Sequence, residues 1–193
     1  MSIADRVRIR KVETLSDNWG MLKRTTFDYR RSDGSWQSQT RETYDRGNGA
    51  TILLYNVNQR TVILTHQFRL PAFVNGHDAL LLETPAGLLD KASPDERIRA
   101  ETEEETGYRV REPHQIYEAY MSPGSVTEKL TFYVAAYEPN DKVGRGGGLH
   151  HEGEDIDTLE VHFSDALAMI ADGRIVDGKT IMLLQHAALA IFK

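Results

Sequence analysis

Four glutamates, Glu101, Glu103, Glu104 and Glu105, fall within five residues of a 193-residue chain. On a helix at roughly 100° per residue, Glu101 and Glu105 lie about 40° apart on one face, Glu104 about 60° to the other side of Glu101, and Glu103 points away. Three carboxylates therefore converge. Like charges at this spacing cost an isolated helix about 0.2–0.5 kcal/mol per pair, a cost that a bound cation reverses. Hard divalent ions take carboxylate oxygens and fill their remaining positions with water and substrate phosphate. The bland reading is a solvated acidic face. Two features favour a site. The helix carries few apolar residues of its own (Ile98 and Ala100, with Thr102 marginal), and it follows a Pro85-Ala86-Gly87 turn whose carbonyls can join the carboxylates.

The elements that must hold these side chains can be read locally. Ser93-Pro94-Asp95-Glu96 combines an N-cap serine, proline at the first helical position and a glutamate three residues after the cap. This predicts a helix from Pro94 to about Thr106, ended by Gly107. Residues 21–45 read as a hairpin around Asp33-Gly34, too poor in large apolar residues to bury itself. Further strands are expected at 50–56, 61–69, 79–84, 115–121, 129–138 and 159–163. Two closing helices follow, one capped by Ser164 and one over 179–192. Residues 142–155 hold five glycines between Gly144 and Gly153, and a polar loop of that length inside a compact domain is functional or mobile more often than decorative. Strands and helices mix without βαβ regularity, which predicts an α+β class.

Composition narrows the chemistry. With 23 Lys+Arg against 29 Asp+Glu, a net charge of −6, the chain is not a generally basic nucleic-acid binder. It has no cysteine, which removes disulfides, thiolate zinc sites and cysteine nucleophiles together. The most apolar stretch, 181–192, is too short and interrupted to span a bilayer, and the first residues lack a signal-peptide core. A cytoplasmic protein with no membrane and no nucleic-acid partner is expected. His150 and His151 do not make a zinc site, because adjacent histidines rarely converge on one metal and no third partner has suitable spacing. His66, at the end of an apolar strand, reads as a packed structural residue.

Gly87, the loop 88–92 and Glu101-Thr102-Glu103-Glu104-Glu105-Thr106-Gly107-Tyr108 resemble the Nudix box, G-x5-E-x7-R-E-U-x-E-E-x-G-U with U aliphatic. Leu15-Ser16-Asp17-Asn18-Trp19, 44–50, Gln67-Phe68-Arg69, Ser122-Pro123-Gly124, Glu154-Asp155-Ile156 and Asp177-Gly178-Lys179-Thr180 are similar to segments of the GDP-mannose pyrophosphatase branch of the Nudix hydrolases, close to the ADP-ribose pyrophosphatases. The resemblance covers nearly the whole chain. It departs from the box at Ser93, where the pattern has its first glutamate, at Ala100, where it has arginine, and at the Gly87 to Gly107 spacing, one residue short. Arg99 or another cation is expected to take over the missing arginine's work.

The resemblance implies an α/β/α Nudix sandwich, with residues 1–47 as an antiparallel β extension and 48–193 as the hydrolase domain. It implies Mg2+ or Mn2+ on the Ala86 carbonyl, Glu101, Glu105 and Glu154, with Glu104 a further ligand. Glu154 is the first choice for the base that activates water, ahead of Glu152 and Asp155. Arg69 and Lys179 would hold the phosphates and sugar, with Glu128, Ala86 and Gly153 also touching substrate. Trp19, Thr40, Arg41 and Glu42 match the nucleotide-recognition region, Trp19 by stacking on a base. In this branch the N-terminal strands pack across a homodimer and complete the partner's site. The implied reaction is hydrolysis of a nucleotide sugar, GDP-mannose giving GMP and mannose 1-phosphate, with ADP-ribose or another nucleoside-diphosphate sugar as the neighbouring reading. A reading of another class, a non-catalytic nucleotide-sugar sensor, has only Ser93 and Ala100 in its favour, and a structural protein with an acidic helix is the blandest.

Overall fold

A computed structural model describes residues 2–193. In chain order the strands are β1 Val7–Asp17, β2 Met21–Arg30, β3 Trp36–Asp45, β4 Gly49–Asn56, β5 Thr61–Gln67, β6 Leu81–Glu83, β7 Ala86–Leu88, β8 His114–Tyr120, β9 Lys129–Ala136 and β10 Ile156–His162. The helices are α1 Leu70–Val74, α2 Pro94–Thr106, α3 Phe163–Ala171 and α4 Gly178–Ala190. Two compact units divide the chain: residues up to Asn48 with Tyr120–Lys129, and Gly49–Ala119 with Leu130–Lys193.

The first unit is a three-stranded antiparallel sheet in the order β1-β2-β3. The expected hairpin is present, with Met21 opposite Asp45 and Arg30 opposite Trp36, and β1 adds a strand on its free side. Few of its side chains are buried, and its charges are paired on the surface, Arg10 with Asp28 and Arg24 with Glu42. Such exposed pairs each contribute about 0–1 kcal/mol.

The second unit holds the core. Its mixed sheet runs β10-β5-β4-β9-β8, with β6 on β5 and β7 on β4; β4 and β9 are parallel. β4 is buried along nearly its whole length because helices cover both faces. Ala50, Ile52 and Leu54 join Ile63, Tyr133 and Ile98 of α2 in one cluster. The two-residue strand period sends Thr51 and Leu53 the other way, where the Thr51 hydroxyl meets Thr84, itself bonded to Thr180 of α4. The α+β class and the three-layer sandwich expected from sequence are both present.

The helix bounds read from the capping residues match α2, with the Ser93–Glu96 capping box formed and Gly107 left-handed at φ 76°. α3 differs from expectation. It begins at Phe163 with His162 as N-cap and no side-chain cap bond, and Ser164 instead meets His162 Nδ1 at 2.8 Å. α4 starts one residue earlier than expected, capped by Asp177. Among the described residues, no helix is long and apolar enough to cross a membrane.

Candidate active site

The buried face of α2 carries Ile98, Glu101, Thr102, Glu105 and Thr106, so it is more polar than apolar. The threonine hydroxyls are satisfied along the helix itself, Thr102 donating to the Ile98 carbonyl and Thr106 to the Thr102 carbonyl, both at 2.5 Å. That lets Thr102 occupy a position where the general box has an aliphatic residue. The two glutamates have no such local remedy.

Glu101 packs against the β7 backbone so closely that a Cβ on Gly87 would sit 1.9 Å from its Oε1. Any side chain there would displace Glu101, and the contact sets Glu101 beside Ala86 and Gly87, which lie in strand β7 and not in the turn expected from sequence. Arg97 reaches the same oxygen at 2.6 Å. Burial raises the Glu101 carboxyl to about 7, against the pull of Arg97, with Glu104, Glu154 and Glu152 adding to the rise. Glu105 is more enclosed, 2% exposed. Its Oε2 is buried without any hydrogen-bond partner. Burial, then Glu101, push its carboxyl well above the ordinary range; Arg69 opposes, while Glu154 and Glu83 add. Glu104 is half-buried, whereas Glu103 pairs with Arg109 on the surface at 3.1 Å, as its helical angle requires.

The glycine-rich loop is fastened to the end of α2. Gly144 donates to the Gly107 carbonyl, Gly147 to Glu105 and Gly148 to Glu104, at 2.9–3.1 Å. The Thr158 hydroxyl adds a second bond to the Glu105 carbonyl. The loop thus satisfies carbonyls that a helix C-terminus leaves open. A Cβ on Gly148, whose φ is +75°, would lie 2.5 Å from Glu154 Oε2, an oxygen that accepts the Leu149 N–H at 2.8 Å. Glu154 is therefore half-buried and held, whereas Glu152 and Asp155 are exposed. Glu154 acts on both Glu101 and Glu105.

A second charged group lies nearby and was not singled out in the sequence. Glu83, 3% exposed at the end of β6, receives Arg69 Nε at 2.7 Å and Lys179 Nζ at 2.5 Å. Lys179 also meets Asp177 at 3.0 Å. Arg69 and Lys179 are thus brought together, and Lys179 is a buried ion-pair member rather than a surface cation. Thr84 N–H donates to the Thr180 hydroxyl at 2.7 Å, tying β6 to the start of α4. A carboxylate ending an otherwise apolar Leu80-Leu81-Leu82 run was the available signal for Glu83. Arg97, not Arg99, meets Glu101; Arg99 binds Asp95 and the carbonyls of Val110 and Arg111.

Most of the remaining expected residues belong to the first unit. Trp19 is 85% exposed at the open end of the hairpin. Within β3, the Thr40 hydroxyl meets Thr26, Arg41 donates to the Thr40 carbonyl and Glu42 pairs with Arg24. Glu128 pairs with Arg46 at 3.3 Å. Ala86 and Gly87 are partly buried in β7, and Gly153 is exposed, closing the short turn before Glu154.

Residues 6–44, which span the three-stranded sheet, match the model of the GDP-mannose pyrophosphatase NudK N-terminal domain. The chain is 56% identical over 174 residues to the GDP-mannose pyrophosphatase of Pectobacterium atrosepticum, covering 90% of this chain and 89% of that one. That of Yersinia pestis strain Pestoides F is 54% identical over 181 residues, covering 93% and 90%. The chain belongs to the GDP-mannose pyrophosphatase family of Nudix hydrolases. A further relative in this family, from Yersinia enterocolitica, is 56% identical over 176 residues, 91% of each chain. The resemblance read from the box and its flanking segments thus holds, and the chain is a hydrolase.

Nudix hydrolases generally require a divalent cation, and the donor set of this family member fits one. Glu105 Oε2 is an orphaned buried acceptor, and the carboxylates around it raise one another's affinity for positive charge. Among the described residues these groups are not drawn into a closed ligand cluster.

Proposed function

We propose that this protein hydrolyses the diphosphate of GDP-mannose, releasing GMP and mannose 1-phosphate, with Mg2+ or Mn2+ as the cation. The observation that carries the reading is the buried, unpartnered Glu105 Oε2 beside Glu101 and Glu154 in a chain of this family. Glu101, Glu105 and the Ala86 carbonyl would hold the metal, with Glu104 as a further ligand. A cation held there would neutralise charge on the phosphoryl oxygens and make a water more acidic. Glu154, with one oxygen held by the Leu149 N–H and its charge felt at both helix carboxylates, would orient that water and accept its proton. Arg69, whose side chain is 39% exposed with its Nε on Glu83, binds a phosphate of the substrate. Lys179 keeps Glu83 neutralised while facing the sugar side.

Residues 1–47 act as a β extension to the hydrolase domain at 48–193. In a homodimer this sheet completes the partner's site, with Trp19 and the segment Thr40-Arg41-Glu42 at the nucleobase and Glu128 and Gly153 at the substrate. The exposed Trp19 and the sparsely buried sheet support this arrangement.

The test is GMP release from GDP-mannose, run beside ADP-ribose, with Mg2+ and with EDTA. Metal-dependent cleavage preferring GDP-mannose, reduced about a thousandfold in Glu105→Gln, is expected. Faster ADP-ribose cleavage overturns the base assignment, and turnover undiminished in EDTA overturns the mechanism.

A further inference from the structure

The general box places an arginine immediately before its first helix glutamate, and this chain has Ala100 there. Glu101 nevertheless has a cation. Arg97, one turn earlier on the same stripe of α2, sets a terminal nitrogen 2.6 Å from Glu101 Oε1. Arg97 Nε is buried without a partner, and the side chain, 28% exposed, is directed to Glu101 through its terminal nitrogen. Arg99, the nearer substitute in sequence, is committed to Asp95 and to the Val110 and Arg111 carbonyls.

Oε1 is also the oxygen that lies against the Gly87 backbone. It is fixed on two sides, by a cation and by main chain, and only 8% of the Glu101 side chain is exposed. A carboxylate ordered before its ligand arrives loses less side-chain freedom on binding.

We propose that Arg97 is the positioning residue for Glu101: pinning Oε1, it fixes the carboxylate and leaves Oε2 for the divalent cation, the work vacated at Ala100. This rests on the reading of Glu101 as a metal ligand. Arg97 touches neither metal nor substrate.

The test is Mn2+ binding to the full chain, followed by the paramagnetic resonance signal of the free ion. Arg97→Ala raises the dissociation constant about tenfold, the lower end of what partners that orient metal ligands contribute. Arg97→Lys, which keeps a charge but loses the planar fork, recovers part of the loss. The double variant Arg97→Ala/Ala100→Arg, which returns an arginine to the box position, recovers more; a merely structural role for Arg97 would not be rescued this way. Mn2+ binding in Arg97→Ala as tight as in the unaltered protein, or tighter, overturns the proposal, as does failure of both rescues. Glu101→Gln separates the two readings. If it weakens binding while Arg97→Ala does not, Arg97 alone is misassigned; if it too binds unchanged, the metal reading of the site falls and takes the inference with it.

Discussion

Glu83 and Glu105 are carboxylates of the same unit, 3% and 2% exposed, with opposite surroundings. Glu83, at the end of β6, lies between Arg69 and Lys179. Glu105, on α2, faces Glu101 and Glu154 and keeps one oxygen without any partner. Burying an ionised carboxylate is tolerable only when it is paired or coordinated. For Glu83 the chain supplies the pairing itself. For Glu105 it supplies more negative charge than Arg69 offsets, so the carboxyl either keeps its proton or takes up an external cation. The difference separates a carboxylate that builds the scaffold from one that, on the proposed function, is kept for a cation.

Breaking the scaffold side should have the larger effect on stability. Glu83→Gln leaves Lys179 buried beside Asp177 alone and frees Arg69, and a buried pair broken at one partner costs about 3–5 kcal/mol. Urea denaturation should show that loss with or without Mg2+. A loss below about 1 kcal/mol would mean that Glu83 is not the scaffold carboxylate.

A smaller effect sharpens the comparison through pH. In the metal-free protein burial pushes the Glu101 carboxyl up to about 7 from the ordinary 4.5, and Glu105 is also raised. Between those values the folded state keeps protons that the unfolded state has released, so the folded state is favoured at low pH and loses that advantage as pH rises toward 7. In EDTA, melting temperature should fall by about several degrees from pH 5 to pH 8. Glu105→Gln should flatten this slope. A stability that rises over the same interval would contradict the assignment.

How much of this was legible depends on the range of the interactions involved. The start and end of α2 were set by Ser93, Pro94, Glu96 and Gly107, whose effects are local, and the convergence of Glu101 and Glu105 followed from helical angle alone. The glycines at 144–148 suggested a functional or mobile loop. Their N–H groups close on carbonyls at the end of α2, partners some forty residues away that no local signal names. Arg99 was the cation the sequence named for the missing arginine's work, and only the placing of Asp95 and the Val110 carbonyl draws it aside and leaves Arg97 at Glu101. Glu83 looked like an ordinary strand end because both its partners are distant in sequence. Ser164 had the residue type of a cap, but the strand-to-helix turn put His162 in that position.

The most direct test of the contrast is the melting temperature at pH 8, with Mg2+ and with EDTA, of the unaltered protein and of Glu105→Gln. The protein should melt higher in Mg2+ than in EDTA, while the variant, with no buried charge left to compensate at that position, should equal or exceed the unaltered protein in EDTA and gain little from Mg2+. An equal rise with Mg2+ in both would contradict the claim that Glu105 is the carboxylate kept for an external cation.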